Sequence, residues 1–167
     1  GMGGAGFPTF IKLSPKNPDQ IDRIIVNCAE CEPYLTSDYR RMIEEPEKLV
    51  KGLKVSLSLF PKAEGILAVD NKKDCVEILE KLTKDDSRIT VKALKTKYPQ
   101  GAERQLIFAT TGRKINSSML PADVGCIVNN VDTVVAIYHA VFEGRPLMER
   151  IVTVTGDAVK DPCNFKV

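Results

Sequence analysis

Four short runs of aliphatic and β-branched residues, at 23–27, 65–70, 89–94 and 124–130, alternate along this chain with stretches of helical spacing. A strand separated from the next by a helix cannot close a hairpin with it, so the two pair in parallel. The run Arg23-Ile24-Ile25-Val26-Asn27 reads as a buried strand. Between the runs, Ser37-Asp38 is placed to cap a helix through Glu45. Pro46 opens another, with Leu49, Val50, Leu53, Leu57 and Phe60 on one face. Helices are expected over 73–84, 103–110 and 131–142. Val76, Leu79 and Leu82 should turn inward in the first of these; Val131, Val134, Val135, Tyr138 and Val141 should do so in the last. The pattern predicts an α/β, three-layer Rossmann-like domain with a mostly parallel sheet. A last strand is expected at 150–155, and the tail 156–167 carries turn residues with nothing left to close a second core.

At 167 residues the chain suffices for one well-cored domain. With 43% hydrophobic and 28% charged residues and a net charge of +2, acids and bases interleave, so no basic stripe for nucleic acid forms. No apolar run reaches the length of a membrane span and no signal peptide is visible, so direct membrane insertion is not expected. Five cysteines, at 28, 31, 75, 126 and 163, make an odd set. Cys28 and Cys31 form a C-x-x-C, which suits a redox pair, half a zinc site or buried structural thiols. A second metal-ligating pair is missing, since the other cysteines are isolated and His139 is the only histidine.

The chemistry concentrates at the amino end. Gly1-Met2-Gly3-Gly4-Ala5-Gly6 leaves a backbone nearly free of Cβ atoms, able to turn amide N–H groups into one concave site and to lie against a flat ring. Gly1, Gly3 and Gly6 satisfy G-x-G-x-x-G, but no strand precedes them, and Pro8 is expected to stop a helix directly behind. A standard Rossmann turn is therefore not expected; a flexible leader is the plain alternative. Phe7 offers a ring face and Lys12 a cation for phosphate.

Ligands of parallel sheets sit beyond the carboxyl ends of the strands. That places Asn27-Cys28-Ala29-Glu30-Cys31-Glu32 as one wall, with the Asn27 amide for a heterocycle and Glu30 and Glu32 for ribose hydroxyls, or else as a solvated acidic loop. Gly101 and Glu103 open a helix at the same edge. Asn129 and Asn130 end the fourth run, where Asn130 is equally suited to cap the next helix. Four converging loops describe a pocket for a flat, phosphorylated, sugar-bearing ligand: a nucleotide or flavin.

Gly1-Met2-Gly3-Gly4-Ala5-Gly6-Phe7-Pro8-Thr9 with Lys12 resembles the flavin loop of the NADH-oxidising subunits of respiratory complex I and of the Rnf electron transport complex. Asn27-Cys28-Ala29-Glu30-Cys31-Glu32-Pro33-Tyr34 is similar to the Rnf form in particular, that of the RnfC family. Tyr98-Pro99-Gln100-Gly101-Ala102-Glu103, Leu120-Pro121-Ala122-Asp123-Val124-Gly125 and Val128-Asn129-Asn130-Val131-Asp132-Thr133 continue the match in order. The resemblance implies an FMN/NADH-binding domain over 1–149 and the start of a β-grasp module over 150–167. It implies non-covalent FMN near Gly3, Gly4, Lys12, Asn27, Glu30, Asn129 and Asn130. Phe7, Glu32 and Glu103 would border the nicotinamide nucleotide, with Gly1 and Gly101 also at the site.

It further implies [4Fe–4S] clusters in a C-terminal part absent from this chain, so a fragment inactive by itself. Partner subunits of a membrane-bound complex are implied, with ferredoxin reached indirectly, as is a peripheral place on the cytoplasmic face of the cell membrane. Ala29 departs from complex I relatives, which carry an acid there. Alternatives are a related flavin reductase serving cobalamin or proline reductase, a docking scaffold without cofactor, and a thiol-redox protein working through Cys28 and Cys31.

Overall fold

The computed structural model describes residues 1–3 and 5–167. Four parallel strands form the central sheet: β1 (Arg23–Cys28), β2 (Glu64–Asp70), β3 (Ile89–Leu94) and β4 (Cys126–Asn130), in the order β3-β2-β1-β4. The chain builds outward from β1 to β2 and β3, then crosses back to add β4 on the other side of β1. The β1–β4 seam is thus the topological switch point, where helices leave in opposite directions and open a crevice.

Alternate residues of the strands feed two cores. Ile24, Val26 and Cys28 pack against α2 (Ser37–Glu44), α3 (Pro46–Ser58), α4 (Lys73–Thr83) and α6 (Val131–Phe142). Ile25, Ile66, Ala68 and Val128 face Leu106 and Ile107 of α5 (Glu103–Thr111), the helix that covers the opposite face. The three layers are as expected but unequal, four helices on one side and one on the other. β5 (Ile151–Val154) and β6 (Cys163–Lys166) pair antiparallel as a separate hairpin.

Several local expectations fail for identifiable reasons. Pro8 does not prevent a helix: α1 (Thr9–Lys12) starts directly after it. At φ −61° and ψ 126°, Pro8 takes the N-cap position, where its missing N–H costs nothing. Leu82 is 36% exposed, because the inward line of α4 runs Cys75, Leu79, Thr83, and the Thr83 hydroxyl donates to the Leu79 carbonyl. In α6 the inward place belongs to His139 at i+4 from Val135, leaving Val141 exposed. The N-cap of α2 is Thr36 rather than Ser37 or Asp38, and no side chain of its own caps it.

Arg88 closes the lower edge of the sheet. Its Nη2 donates to the carbonyls of Leu57 (3.1 Å), Phe60 (3.0 Å) and Ala63 (2.8 Å), satisfying acceptors at the carboxyl end of α3. Replacing it strands partly buried carbonyls. Arg88→Leu should cost about 2 kcal/mol in urea unfolding, with an unchanged m-value.

Candidate functional site

Asn27 and Asn130 are register partners at the end of the β1–β4 seam, so the crevice opens between two asparagine-bearing strand ends. Around it the chain gathers the glycine stretch, the 28–36 loop, the Gly101 turn and the first turn of α6. Asn27 Nδ2 donates to the Gly101 carbonyl at 2.8 Å, and its Oδ1 accepts from Ala29 N at 3.1 Å. Gly101 N in turn donates to Cys31 Sγ at 3.3 Å. A Cβ at Gly101 would stand 2.4 Å from the Ala29 carbonyl, so only glycine lets the two loops meet so closely.

The glycine stretch folds back on itself, with Gly6 in the left-handed region (φ 60°) donating to the Gly3 carbonyl at 2.8 Å. Gly3 reaches Asn130, and Met2 N donates to Thr133 Oγ1 at 2.8 Å. Gly1, Gly3, Ala5, Gly6, Phe7, Lys12, Asn129, Asn130 and Thr133 line one recess. Gly4 lies outside the described residues. Lys12 Nζ passes beneath the stretch, donating to the Val128 carbonyl (2.7 Å) and to Glu103 Oε1 (3.3 Å). The Phe7 ring is 5.9 Å from that ammonium and half-exposed.

The two asparagines at the end of β4 have different states. Asn130 is committed: its Oδ1 caps α6 by accepting from Asp132 N (2.9 Å), and its Nδ2 donates to Asp38 Oδ2 (2.7 Å). Asn129 is only 2% exposed, lines the recess, and its Nδ2 has no partner among the described residues. A buried amide nitrogen without a partner at a switch-point crevice calls for an explanation, and a ligand acceptor is one that would satisfy it.

Glu30 and Glu32 part company. The Glu30 carboxylate, 4% exposed, accepts from Asp38 N (2.9 Å), Tyr39 N (3.2 Å) and the Ser37 hydroxyl (3.3 Å), and Lys72 Nζ stands 3.4 Å away. It therefore serves the amino end of α2 from outside the helix. Glu32 is exposed, two residues before Tyr34, whose φ of 68° marks a strained turn at the mouth.

Sequence reasoning passed over Thr133, Asp38 and Lys72. Thr133 carried a faint signal, being three residues beyond Asn130 and so on the same face of the first turn of α6. Asp38 and Lys72 join the site through contacts distant in sequence, and nothing local announces them.

Among the described residues no cluster of three metal-ligating groups exists, and all five cysteines are free. Burial pushes the Cys28 thiol well up, which suits packing rather than thiolate chemistry. A larger cleft of about 270 Å³ lies behind Met2, but its charges are internally paired: Arg41 with Asp132 and Glu45, Lys48 with Glu45, Lys166 with Glu149.

A parallel α/β sheet whose switch point carries a glycine-lined recess and an unsatisfied amide has the architecture of domains that hold nucleotide-type cofactors. The chain belongs to the Nuo51 FMN-binding domain family, which matches residues 1–139. It is 46% identical over 168 residues to the C subunit of the Na(+)-translocating ferredoxin:NAD(+) oxidoreductase complex of Acetobacterium woodii, covering 100% of this chain and 38% of that protein. It is 45% identical over 168 residues to the C subunit of the proton-translocating ferredoxin:NAD(+) oxidoreductase complex of Clostridium ljungdahlii, covering 100% of this chain and 36% of that one. The chain thus spans well under half the length of these curated relatives. Its fold matches a chain of the NAD+-reducing [NiFe]-hydrogenase in the H2-reduced state, with a TM-score of 0.80 at 24% identity over 100% of this chain and 34% of that one.

The donor set fits flavin mononucleotide: a free buried amide, main chain stripped of side chains and a lysine ammonium. The space does not yet fit, since the recess holds about 50 Å³ against the several hundred typical of ligand pockets.

Asp38 offers a test of the site's electrostatics. Burial, then the Glu30 carboxylate, raise its pKa from 3.8 to about 7. The folded state therefore holds this proton more tightly than the unfolded chain, and the carboxyl costs stability as pH climbs from about 4 through about 7. Asp38→Asn keeps an acceptor for Asn130 without the charge. It should stabilise by about 2 kcal/mol at pH 8 and have little effect at pH 4, read from urea melts at both.

Proposed function

We propose that this chain is the flavin- and nucleotide-binding part of an electron-transfer subunit that oxidises NADH through non-covalent FMN. The observation that carries the reading is the partnerless Asn129 amide in a recess walled by the glycine stretch. The reading gives Gly3, Gly4 and Lys12 to the phosphate and ribityl chain, with Gly1 also at the site. Asn27, Glu30, Asn129 and Asn130 stand beside the ring system, with Gly101 bringing the opposing loop close. Phe7, Glu32 and Glu103 border the nicotinamide nucleotide.

When bound, FMN supplies a two-electron hydride acceptor that can release electrons singly. The chain's own part is placement. Asn130, locked at both ends of its amide, holds the floor of the site rigid. Asn129 would offer its amide N–H to the flavin, and Lys12 would supply a cation for the phosphate. Glu30, engaged with α2, contributes negative charge near the ring rather than a free acceptor. No side chain needs to move a proton in the hydride step, so positioning is what variants should perturb.

By the names of its relatives, the whole protein would work in a ferredoxin:NAD+ oxidoreductase complex that links this electron transfer to ion translocation. Electrons would leave through [4Fe–4S] clusters outside this chain, towards partner subunits, with ferredoxin reached indirectly. Its place would be peripheral, on the cytoplasmic face of a membrane; no helix among the described residues is long and apolar enough to cross one. The hairpin in 150–167 would open a β-grasp module behind the flavin domain of 1–149. The smallness of the recess favours one other reading, a scaffold that kept the fold without the cofactor.

Titration with FMN separates the two. Quenching of flavin fluorescence, followed by bleaching of the bound flavin with NADH, supports the redox reading; absence of binding supports the scaffold. Lys12→Met should weaken FMN by about tenfold or more, the loss of a charge-assisted contact. Glu32→Ala should weaken NADH about tenfold while changing FMN affinity by less than about twofold. Equal losses for both ligands would mean that Glu32 does not face the nucleotide.

A further inference from the structure

Among the described residues, the glycine stretch is tied to the rest of the protein by two directed bonds, and both are made by Met2. Met2 N donates to Thr133 Oγ1 at 2.8 Å, and the Met2 carbonyl accepts from Arg150 Nη2 at 2.9 Å. Gly1 and Gly3 face the recess, whereas the Met2 side chain is buried and faces the charged cleft behind it. Met2 thus lines the cleft, while its neighbours on either side line the recess.

Arg150 stands at the base of the β5–β6 hairpin. Its N donates to the Val167 carbonyl at 2.8 Å, and its own carbonyl accepts from Val167 N at 2.9 Å. The hairpin is held elsewhere too, where Asn164 Nδ2 donates to Thr36 Oγ1 at 2.9 Å, beside the start of α2. The Arg150 backbone is therefore fixed, and its guanidinium reaches out to the glycine stretch.

A stretch rich in glycine has many conformations to lose, and that cost falls on whatever ligand orders it. An anchor that fixes one point of the stretch lowers that cost. We propose that Arg150 is a positioning residue for the candidate cofactor site. By holding the Met2 carbonyl it keeps the glycine stretch over Asn129 and Asn130, so flavin affinity depends on a side chain of the hairpin. The proposal rests on the flavin reading given above. It adds that the hairpin, as well as the parallel domain, determines how ready the site is.

Arg150→Met keeps an apolar stem and removes the donors, and Arg150→Lys restores a cation. FMN should bind about tenfold more weakly to the Met variant and within about threefold of wild type to the Lys variant. In the absence of flavin, amide hydrogen exchange at Met2 and Gly6, the bonded amides of the stretch among the described residues, should quicken in the Met variant while the β1 amides keep their protection. Arg150→Gln takes its place if the Met variant does not fold. Unchanged exchange at the glycine stretch overturns the proposal, and so does faster exchange with unchanged FMN affinity. If wild-type protein binds no FMN, the flavin reading fails by itself; the exchange data then decide whether Arg150 anchors the stretch.

Discussion

Parallel pairing between β1 and β4 sets Asn27 opposite Asn130, and most of what surrounds the candidate site follows from that register. Because side chains alternate across a strand, a slip of one residue would turn Asn129 away from α6 and put Val128 in its place. The register is held by the cores on the two faces. Ile24 and Val26 cannot leave the four-helix side, nor Ile25 and Val128 the α5 side, without exposing apolar surface. The polar strand ends are thus placed by packing a few residues away, and the loops that meet there need only short bonds to complete the crevice.

The glycine stretch contributes a different kind of constraint. It has little side chain to pack, and among the described residues a few bonds hold it: Gly6 to Gly3, Met2 to Thr133, Arg150 to Met2. A rigid floor under a lightly tethered cover suits a site that must admit a large planar ligand and close on it. The recess between them holds about 50 Å³. Lys12 lies between the two parts, bonded to the strand end and to α5 while carried by a short helix next to the cover.

Much of this is legible from the chain alone, where periodicity speaks. The four strand runs and the helices between them appear close to their expected bounds; β1, β2 and β4 are covered on both faces, and the edge strand β3 is read from its β-branched residues. Where one residue can serve two ends, reading fails. Pro8 breaks helices from within and begins them from the N-cap, and the residues on either side do not say which. β6 has only four residues, two of them polar, so it offers no pattern to read. The four converging loops are expected as a group, but not who bonds to whom. Its loop assigns Glu30 to a ligand; the structure engages it with the amino end of α2, seven residues on. Arg150 and Thr133 meet Met2 across more than a hundred positions, and such pairs leave no trace in a single sequence.

Two neighbouring asparagines end β4, yet they are not equivalent parts. The second has spent both halves of its amide on the protein itself, and a short hydroxyl-bearing residue would still do the share that caps the helix. The first has its amide nitrogen uncommitted among the described residues, and its value lies in what it withholds. Among descendants of this chain, drift at 130 would be felt as altered stiffness, and drift at 129 as a change in what the domain can recognise.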